Sequence, residues 1–293
     1  MNARAMSPSQ VAADLLSLTK PGLSSLVLCT TAGGLWLAPG PLSVPKVVVV
    51  LLATYGIVGA ANTLNCFLER DSDRSMRRTR NRPLPAGRME PGVALWFGIA
   101  LAAISVPALM LGANVLTGAI GLLAFLLYVL VYTPMKPRSW VAMLLGAVPG
   151  ALPPLMGWTA VAGRIAPPAV VLSGILFFWQ LPHFTAIALF RKDEYRAAGL
   201  TSLPLALGDA ASRAHVLFCL LALVPLTLLP AALGIAGPLY LAAALALDAF
   251  FLGVGAVGFF RRLGAEWARQ LFFTSLAYLA GLFTALMVSG PGA

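Results

Sequence analysis

Charge is what this chain most lacks. Only 10% of its 293 residues are Asp, Glu, Lys or Arg and 59% are apolar, whereas a typical soluble domain is about 25% charged. Most of the chain therefore cannot face water, and a soluble or purely structural role is excluded. Cysteine is nearly absent as well. Cys29, Cys66 and Cys219 stand singly with no CxxC spacing, which excludes a thiolate metal site or redox pair and leaves them as packing residues. Only two histidines, His183 and His215, occur.

What is abundant is apolar sequence of membrane-crossing length. A hydrocarbon core of about 30 Å needs about 20 helical residues. Nine runs qualify, at about 22–38, 46–68, 92–110, 112–133, 140–161, 168–190, 214–233, 237–260 and 268–289. The expected fold is an all-α polytopic bundle forming a single membrane domain over residues 1–293. The polar residues before the first run, including Asp14 and Lys20, do not read as a cleavable signal.

The net charge of +10 raises the question of nucleic acid, and its distribution answers it. With the N-terminus inside, eighteen of the twenty Lys and Arg residues fall on the cytoplasmic side, leaving only Lys46 and Arg164 outside. That asymmetry is the positive-inside pattern. It predicts an N-in, C-out protein of a bacterial-type cytoplasmic (inner) membrane, with the lipid bilayer, not nucleic acid, as its partner.

Nine of the ten acidic residues also fall inside, where topology requires none of them; the tenth, Asp248, lies within the eighth run and has no obvious partner. Two clusters stand out: Glu69, Asp71 and Asp73 after run 2, and Asp193 and Glu194 after run 6. Runs four apart exit on the same side, and each cluster precedes a basic loop and a Pro-Leu element, Arg82-Pro83-Leu84-Pro85 or Leu203-Pro204-Leu205. Two four-helix pseudo-repeats plus a ninth helix are expected.

If run 2 stays helical, Asn62, Asn65, Glu69 and Asp73 form a polar stripe on one face. Asn65 and Asp73 would lie about 12 Å apart along the axis at 1.5 Å per residue, too far to share one ion but well spaced for a metal–diphosphate assembly. Mg²⁺ prefers oxygen ligands and usually takes one or two carboxylates, with phosphate and water completing its octahedron. The arginines that follow, Arg74, Arg77, Arg78, Arg80 and Arg82, suit phosphate oxygens. Such a group would stabilise a departing diphosphate. For the arginines alone, a solvated topogenic loop is the simpler account.

Asn65-x3-Glu69-x-Asp71-x-Asp73, followed by Arg77-Arg78-Thr79-Arg80-Asn81-Arg82-Pro83-Leu84-Pro85-Ala86-Gly87-Arg88, resembles the first signature of the UbiA-type membrane prenyltransferases, and its wording is nearest their haem-farnesylating branch. Three further segments agree: Leu18-Thr19-Lys20-Pro21; Tyr132-Thr133-Pro134-Met135-Lys136 leading to Gly146 through Trp158; and Phe178-Trp179-Gln180-Leu181-Pro182-His183-Phe184 with Asp193-Glu194-Tyr195-Arg196. The resemblance implies a helical bundle around a central cavity, and transfer of farnesyl from farnesyl diphosphate to a vinyl group of haem b, with water added, to give haem O. It implies Mg²⁺ held by Asn65, Glu69, Asp73, Asp193 and Glu194, with Asp71 secondary. Asn65, Asp73 and His183 become candidate catalytic groups. Diphosphate contacts fall to the first-loop arginines and, more weakly, to Lys136, Arg138 and Lys192. An association with haem-modifying or terminal-oxidase assembly proteins is implied by the family alone. Two positions depart from the superfamily pattern: Glu69 stands where Asp is usual, and adjacent Asp193 and Glu194 replace a spaced pair of aspartates.

His183 points to the acceptor. An intramembrane histidine is costly enough to suggest function, imidazole is a common haem ligand, and Pro182 beside it removes a helical hydrogen bond and is expected to open or kink run 6. Iron ligation, porphyrin orientation and proton management all remain open. His215 reads as interfacial. Tyr128, Tyr132, Trp158, Trp179 and Phe184 suit either an allylic cation or ordinary packing. Gly146, Gly150, Ala151 and Gly157 suit close helix contact, and Pro149, Pro153 and Pro154 a broken helix. Two other readings share part of this pattern. A prenyltransferase for a quinone precursor or chlorophyllide would keep the acidic loops without the Trp-Gln-Leu-Pro-His segment, and a transporter would move substrate without forming product.

Overall fold

Helix after helix in this chain begins on proline, whose fixed φ and missing N–H suit the first helical turn. The computed structural model describes residues 7–290, and no strand occurs among them. A short helix α1 (Pro8–Leu18) is followed by α2 (Pro21–Leu37), α3 (Val44–Leu68), α4 (Arg70–Arg74) and α5 (Pro91–Gly112). Next, α6 (Val115–Leu126) passes through a π-turn (Leu127–Tyr132) into α7 (Thr133–Met135), and α8 (Ala142–Ala151) is stacked end to end with α9 (Pro153–Ala162). The second half holds α10 (Pro167–Phe190), α11 (Lys192–Ala197), α12 (Leu203–Ala206), α13 (Gly208–Ala232), α14 (Pro238–Phe260) and α15 (Ala265–Val288).

All nine expected runs are helical. Eight spans are long and apolar enough to cross a membrane, and the ninth is counted when α1 and α2, bent 49° from each other, are taken together. Large apolar side chains such as Leu52, Trp96, Leu111 and Phe260 stay exposed on the flanks, where a bilayer takes the place of water.

The pseudo-repeat reappears in the packing. α3 packs on α5 and α5 on α6, just as α10 packs on α13 and α13 on α14; α15 closes against α10 and α14. In each half the second long helix breaks at one residue of matching backbone, Glu69 (φ −92°, ψ 5°) or Arg191 (φ −112°, ψ 21°), and then resumes as a short acidic helix. Each Pro-Leu element carries a buried leucine, Leu84 in one half and Leu203 in the other.

The small residues do what close helix contact requires. A Cβ on Gly34 would strike the Pro154 carbonyl and one on Gly157 the Thr31 carbonyl, so α2 and α9 meet backbone to backbone. The break falls where Pro149 and Pro153 interrupt the fifth span. Pro182, by contrast, does not break α10, which stays helical throughout. Its lost hydrogen bond is absorbed within a helix packed on both sides.

Asp248 is not partnerless. Its carboxylate accepts from Thr227 Oγ1 and from the Tyr278 hydroxyl, both at 2.6 Å, and the Tyr240 hydroxyl donates to the Thr227 carbonyl at 2.8 Å. These donors come from three different stretches of chain, so sequence spacing could not reveal them. His215 is likewise not simply interfacial: it is half-buried, 3.2 Å from Thr185 Oγ1 and 3.6 Å from Cys219 Sγ.

Candidate active site

The polar stripe survives, with a change of carrier. α3 ends at Leu68, but the Asp73 amide still donates to the Glu69 carbonyl at 2.8 Å, so α4 continues the rise. Asn62, Asn65 and Asp73 are buried.

Each polar group of the stripe holds a partner from elsewhere. Lys20 Nζ donates to Asn65 Oδ1 at 3.0 Å, and Asn65 Nδ2 donates to Thr133 Oγ1 at 3.3 Å. Lys136 Nζ donates to both Glu69 oxygens, at 2.9 and 3.1 Å. Arg82 Nη1 donates to Asp73 Oδ2 at 2.7 Å, and the Thr79 hydroxyl donates to the Asp73 carbonyl at 2.9 Å. Asn62 serves structure, donating to the Thr19 carbonyl. The site is therefore an alternating array of oxygen ligands and cations at one end of the bundle.

Local chain geometry puts these groups in place. Lys20 sits at the bend between α1 and α2 in a left-handed conformation (φ 51°) that few non-glycine residues adopt. That turn brings its side chain onto α3. The π-turn before Thr133 lets the Thr133 hydroxyl reach the Tyr128 carbonyl at 2.8 Å, and π-turns often mark functional sites. Burial pulls Lys20 below the ordinary lysine range. Burial opposes the Lys136 charge too, but Tyr132 and the Glu69 carboxylate outweigh it and hold Lys136 above that range.

The remaining expected residues divide. Asp71 is exposed and paired with Arg70 and Arg74. Asp193 has its side chain 93% exposed and pairs with Arg196, while Glu194 pairs with Arg191. Lys192 Nζ lies 2.6 Å from Asp209. Arg77, Arg78, Arg80 and Arg138 are exposed and form no ion pair among the described residues. No group of three Asp, Glu, His or Cys side chains is gathered for a metal among the described residues. The expected six-residue metal set thus does not converge. The chain turns at Arg191, and α11 points Asp193 into solvent.

What the second acidic segment does place at the site is Tyr195. With Tyr132, Lys136, Trp140, Met143 and Phe184 it lines a cleft of about 80 Å³. That is well below the roughly 300–1,000 Å³ of small-molecule pockets, so bulky substrates require the cleft to widen. Tyr132 and Phe184 therefore border a site, whereas Trp158 is core packing.

His183 lies one turn deeper on α10 and is 9% exposed. Its ring is stacked on Trp179 and packs against Phe272 and Phe184. Sequence reasoning missed Lys20, Thr133, Tyr195 and Ser275 as site residues. The first three stood inside the recognised motifs, but Ser275 carried no local signal.

A family model described as the UbiA prenyltransferase family matches residues 26–277. The chain belongs to that family. This UbiA prenyltransferase is an integral, multi-pass membrane enzyme. It is 67% identical over 286 residues to the protoheme IX farnesyltransferase of Myxococcus xanthus (strain DK1622), covering 98% of this chain and 97% of the relative. It is 48% identical to the protoheme IX farnesyltransferase of Sorangium cellulosum (strain So ce56), covering 90% and 99%. Among solved structures, the fold is similar to a digeranylgeranylglyceryl phosphate synthase with TM-score 0.82 at 19% identity, covering 95% of this chain and 98% of that one. A UbiA homolog from Archaeoglobus fulgidus bound to GPP and Mg²⁺ matches with TM-score 0.66 at 17% identity, covering 93% and 99%.

Proposed function

We propose that this enzyme transfers the farnesyl group of farnesyl diphosphate to a vinyl group of haem b, with water added, to give haem O. The observation that carries the donor half is the array of buried Asn65 and Asp73 with half-buried Glu69 between them, each already in contact with a Lys or Arg. Oxygen ligands and cations interleaved at one end of the bundle suit a divalent metal and a diphosphate bound together. The acceptor half rests on His183 and on similarity to haem-farnesylating relatives.

The donor set fits Mg²⁺ bound together with diphosphate: Asn65, Glu69 and Asp73 would hold the metal–diphosphate assembly along the stripe rather than share one ion, and the metal would supply Lewis-acid stabilisation of the diphosphate oxygens. Asp71, Asp193 and Glu194 face other partners, so the proposed ligand set narrows to the inner three. Lys20, Lys136 and Arg82 bind phosphate oxygens and orient the donor, and Arg77, Arg78, Arg80 and Arg138 attract it electrostatically. The C1–O bond of farnesyl breaks as diphosphate leaves. The terminal vinyl carbon bonds to C1, and the cation left on the carbon next to the porphyrin takes a water oxygen, whose proton is lost. Tyr132 and Phe184, at the cleft, exclude water until the carbon–carbon bond has formed. The charge bias supports a site on the cytoplasmic face of a bacterial-type inner membrane, with the N-terminus in and the C-terminus out, in a chain that would act as one domain beside terminal-oxidase assembly proteins.

The test is to incubate purified membranes with farnesyl diphosphate, haem b and Mg²⁺ and to follow porphyrin mass. A farnesyl-plus-water increase is expected. No increase, together with prenylation of an aromatic acid, would overturn the haem assignment.

A further inference from the structure

His183 is fixed from one residue of the neighbouring helix. Its Nδ1 lies 2.7 Å from Ser275 Oγ on α15, and Ser275 Oγ lies 2.6 Å from the Phe272 carbonyl of the preceding turn. Trp179 Nε1, one turn before His183 on α10, donates to the Ser275 carbonyl at 2.7 Å. The imidazole is stacked on Trp179 (5.1 Å, 25°) and lies tilted against Phe272 (4.8 Å, 31°).

A serine hydroxyl has one proton to donate. When it goes to the Phe272 carbonyl, Oγ can only accept, so Nδ1 carries the imidazole proton. In the reverse arrangement Ser275 donates to Nδ1 and the proton moves to Nε2. Nε2 has no hydrogen-bond partner among the described residues, so a proton there would have nothing within the protein to bond. It would also forfeit the 2.6 Å bond to Phe272. Nε2 is not among the fully enclosed polar atoms that lack a partner, so its lone pair remains open to an incoming group.

We propose that Ser275 is a positioning residue that holds His183 as the Nδ1–H tautomer and so presents Nε2 to the haem iron. This rests on the haem-side reading of His183 and deepens it: of the three roles left open by sequence, iron ligation is selected. The bond formed is dative, from the Nε2 lone pair to iron, and no proton need leave the ring. The relay from Nδ1–H through the hydroxyl to a backbone carbonyl matches the way ligating imidazoles are commonly oriented. It couples α15, the helix outside the pseudo-repeat, to the acceptor.

The test uses the full-length enzyme in lipid nanodiscs titrated with haem b, without farnesyl diphosphate. Two readouts apply: the haem dissociation constant and the iron–histidine stretching frequency of the ferrous complex, which falls when the Nδ1–H hydrogen bond weakens. Ser275→Ala is expected to weaken haem binding about 10–100-fold, the usual range for loss of an outer partner of a ligating histidine, and to lower the stretching frequency. Ser275→Thr, which keeps the hydroxyl, should restore both. If Ser275→Ala fails to insert, Ser275→Cys carries the test, since its poorer acceptor should lower the frequency in the same direction. Unchanged affinity and frequency in the alanine or cysteine variant, with the band lost in His183→Ala, would overturn the role of Ser275 while leaving His183 on the haem side. A haem spectrum and affinity unaltered by His183→Ala would overturn both.

Discussion

Removing the guanidinium of Arg82 isolates a buried charge. The Asp73 carboxylate is 5% exposed and its side-chain partner is Arg82 Nη1 at 2.7 Å. Breaking a buried ion pair from one side costs about 3–5 kcal/mol, because the survivor stays buried and unpaired. Arg82 is 24% exposed, so solvent screens part of the interaction and a loss of about 2–3 kcal/mol is expected for Arg82→Leu. The loss should be local, since Thr79 and the turn over residues 76–82 hang on Asp73. Amide hydrogen exchange across that turn is therefore expected to quicken about 30–150-fold, at tenfold per 1.4 kcal/mol. Adding Mg²⁺ with a non-reactive farnesyl diphosphate analogue should reverse much of it, because the proposed metal neutralises Asp73 in place of Arg82. The same variant loses a charge-assisted contact worth about 1.5–3 kcal/mol, so its KM for farnesyl diphosphate should rise by about 10–150-fold. Unchanged exchange in the free enzyme, or faster exchange that Mg²⁺ and analogue leave untouched, would refute the hand-over of Asp73 from arginine to metal.

Asp73→Ala should abolish turnover while leaving insertion intact, checked by product mass and by detergent-extracted yield; residual wild-type activity would remove Asp73 from the site. Lys20 is held below the ordinary lysine range by burial, and its charge is lost as pH rises through that lowered value. KM for farnesyl diphosphate should therefore climb at a pH below about 10.4, the unperturbed lysine value, whereas Lys20→Arg should flatten that limb; identical profiles would exclude Lys20 as the titrating group. Asp248→Leu orphans the Tyr278 hydroxyl, whereas Thr227 Oγ1 keeps the Val224 carbonyl at 2.8 Å; a cost of about 1–3 kcal/mol is expected, seen as a lower unfolding midpoint with kcat nearly unchanged. Chelation of Mg²⁺ should stop farnesyl transfer without releasing haem b, as followed by product mass and by the haem absorption spectrum.

Much of the site was legible because membrane proteins make polar residues conspicuous. Asn65, Glu69 and Asp73 stood out against an apolar run, and the structure keeps all three facing Lys20, Lys136 and Arg82. Asp193 is less legible. Its cluster matched in sequence, but the turn at Arg191 sends the side chain to solvent and leaves Tyr195 at the cleft. Pro182 removes one backbone donor, yet α10 runs unbroken through it. Asp248 looks isolated in sequence because its two hydroxyl partners lie 21 and 30 residues away in the chain.

Sequence by itself determined the number of spans and the charge bias between the two sides. Span length and charge are local quantities, and the bilayer reads them segment by segment. Partner choice was decided only by tertiary structure. Which cation neutralises which carboxylate, whether two acidic loops share an ion, and which hydroxyl orients His183 depend on helices brought together from distant parts of the chain. Hydrogen bonds and ion pairs act over about 3–4 Å, a scale at which spacing along a single helix carries no information about its neighbours.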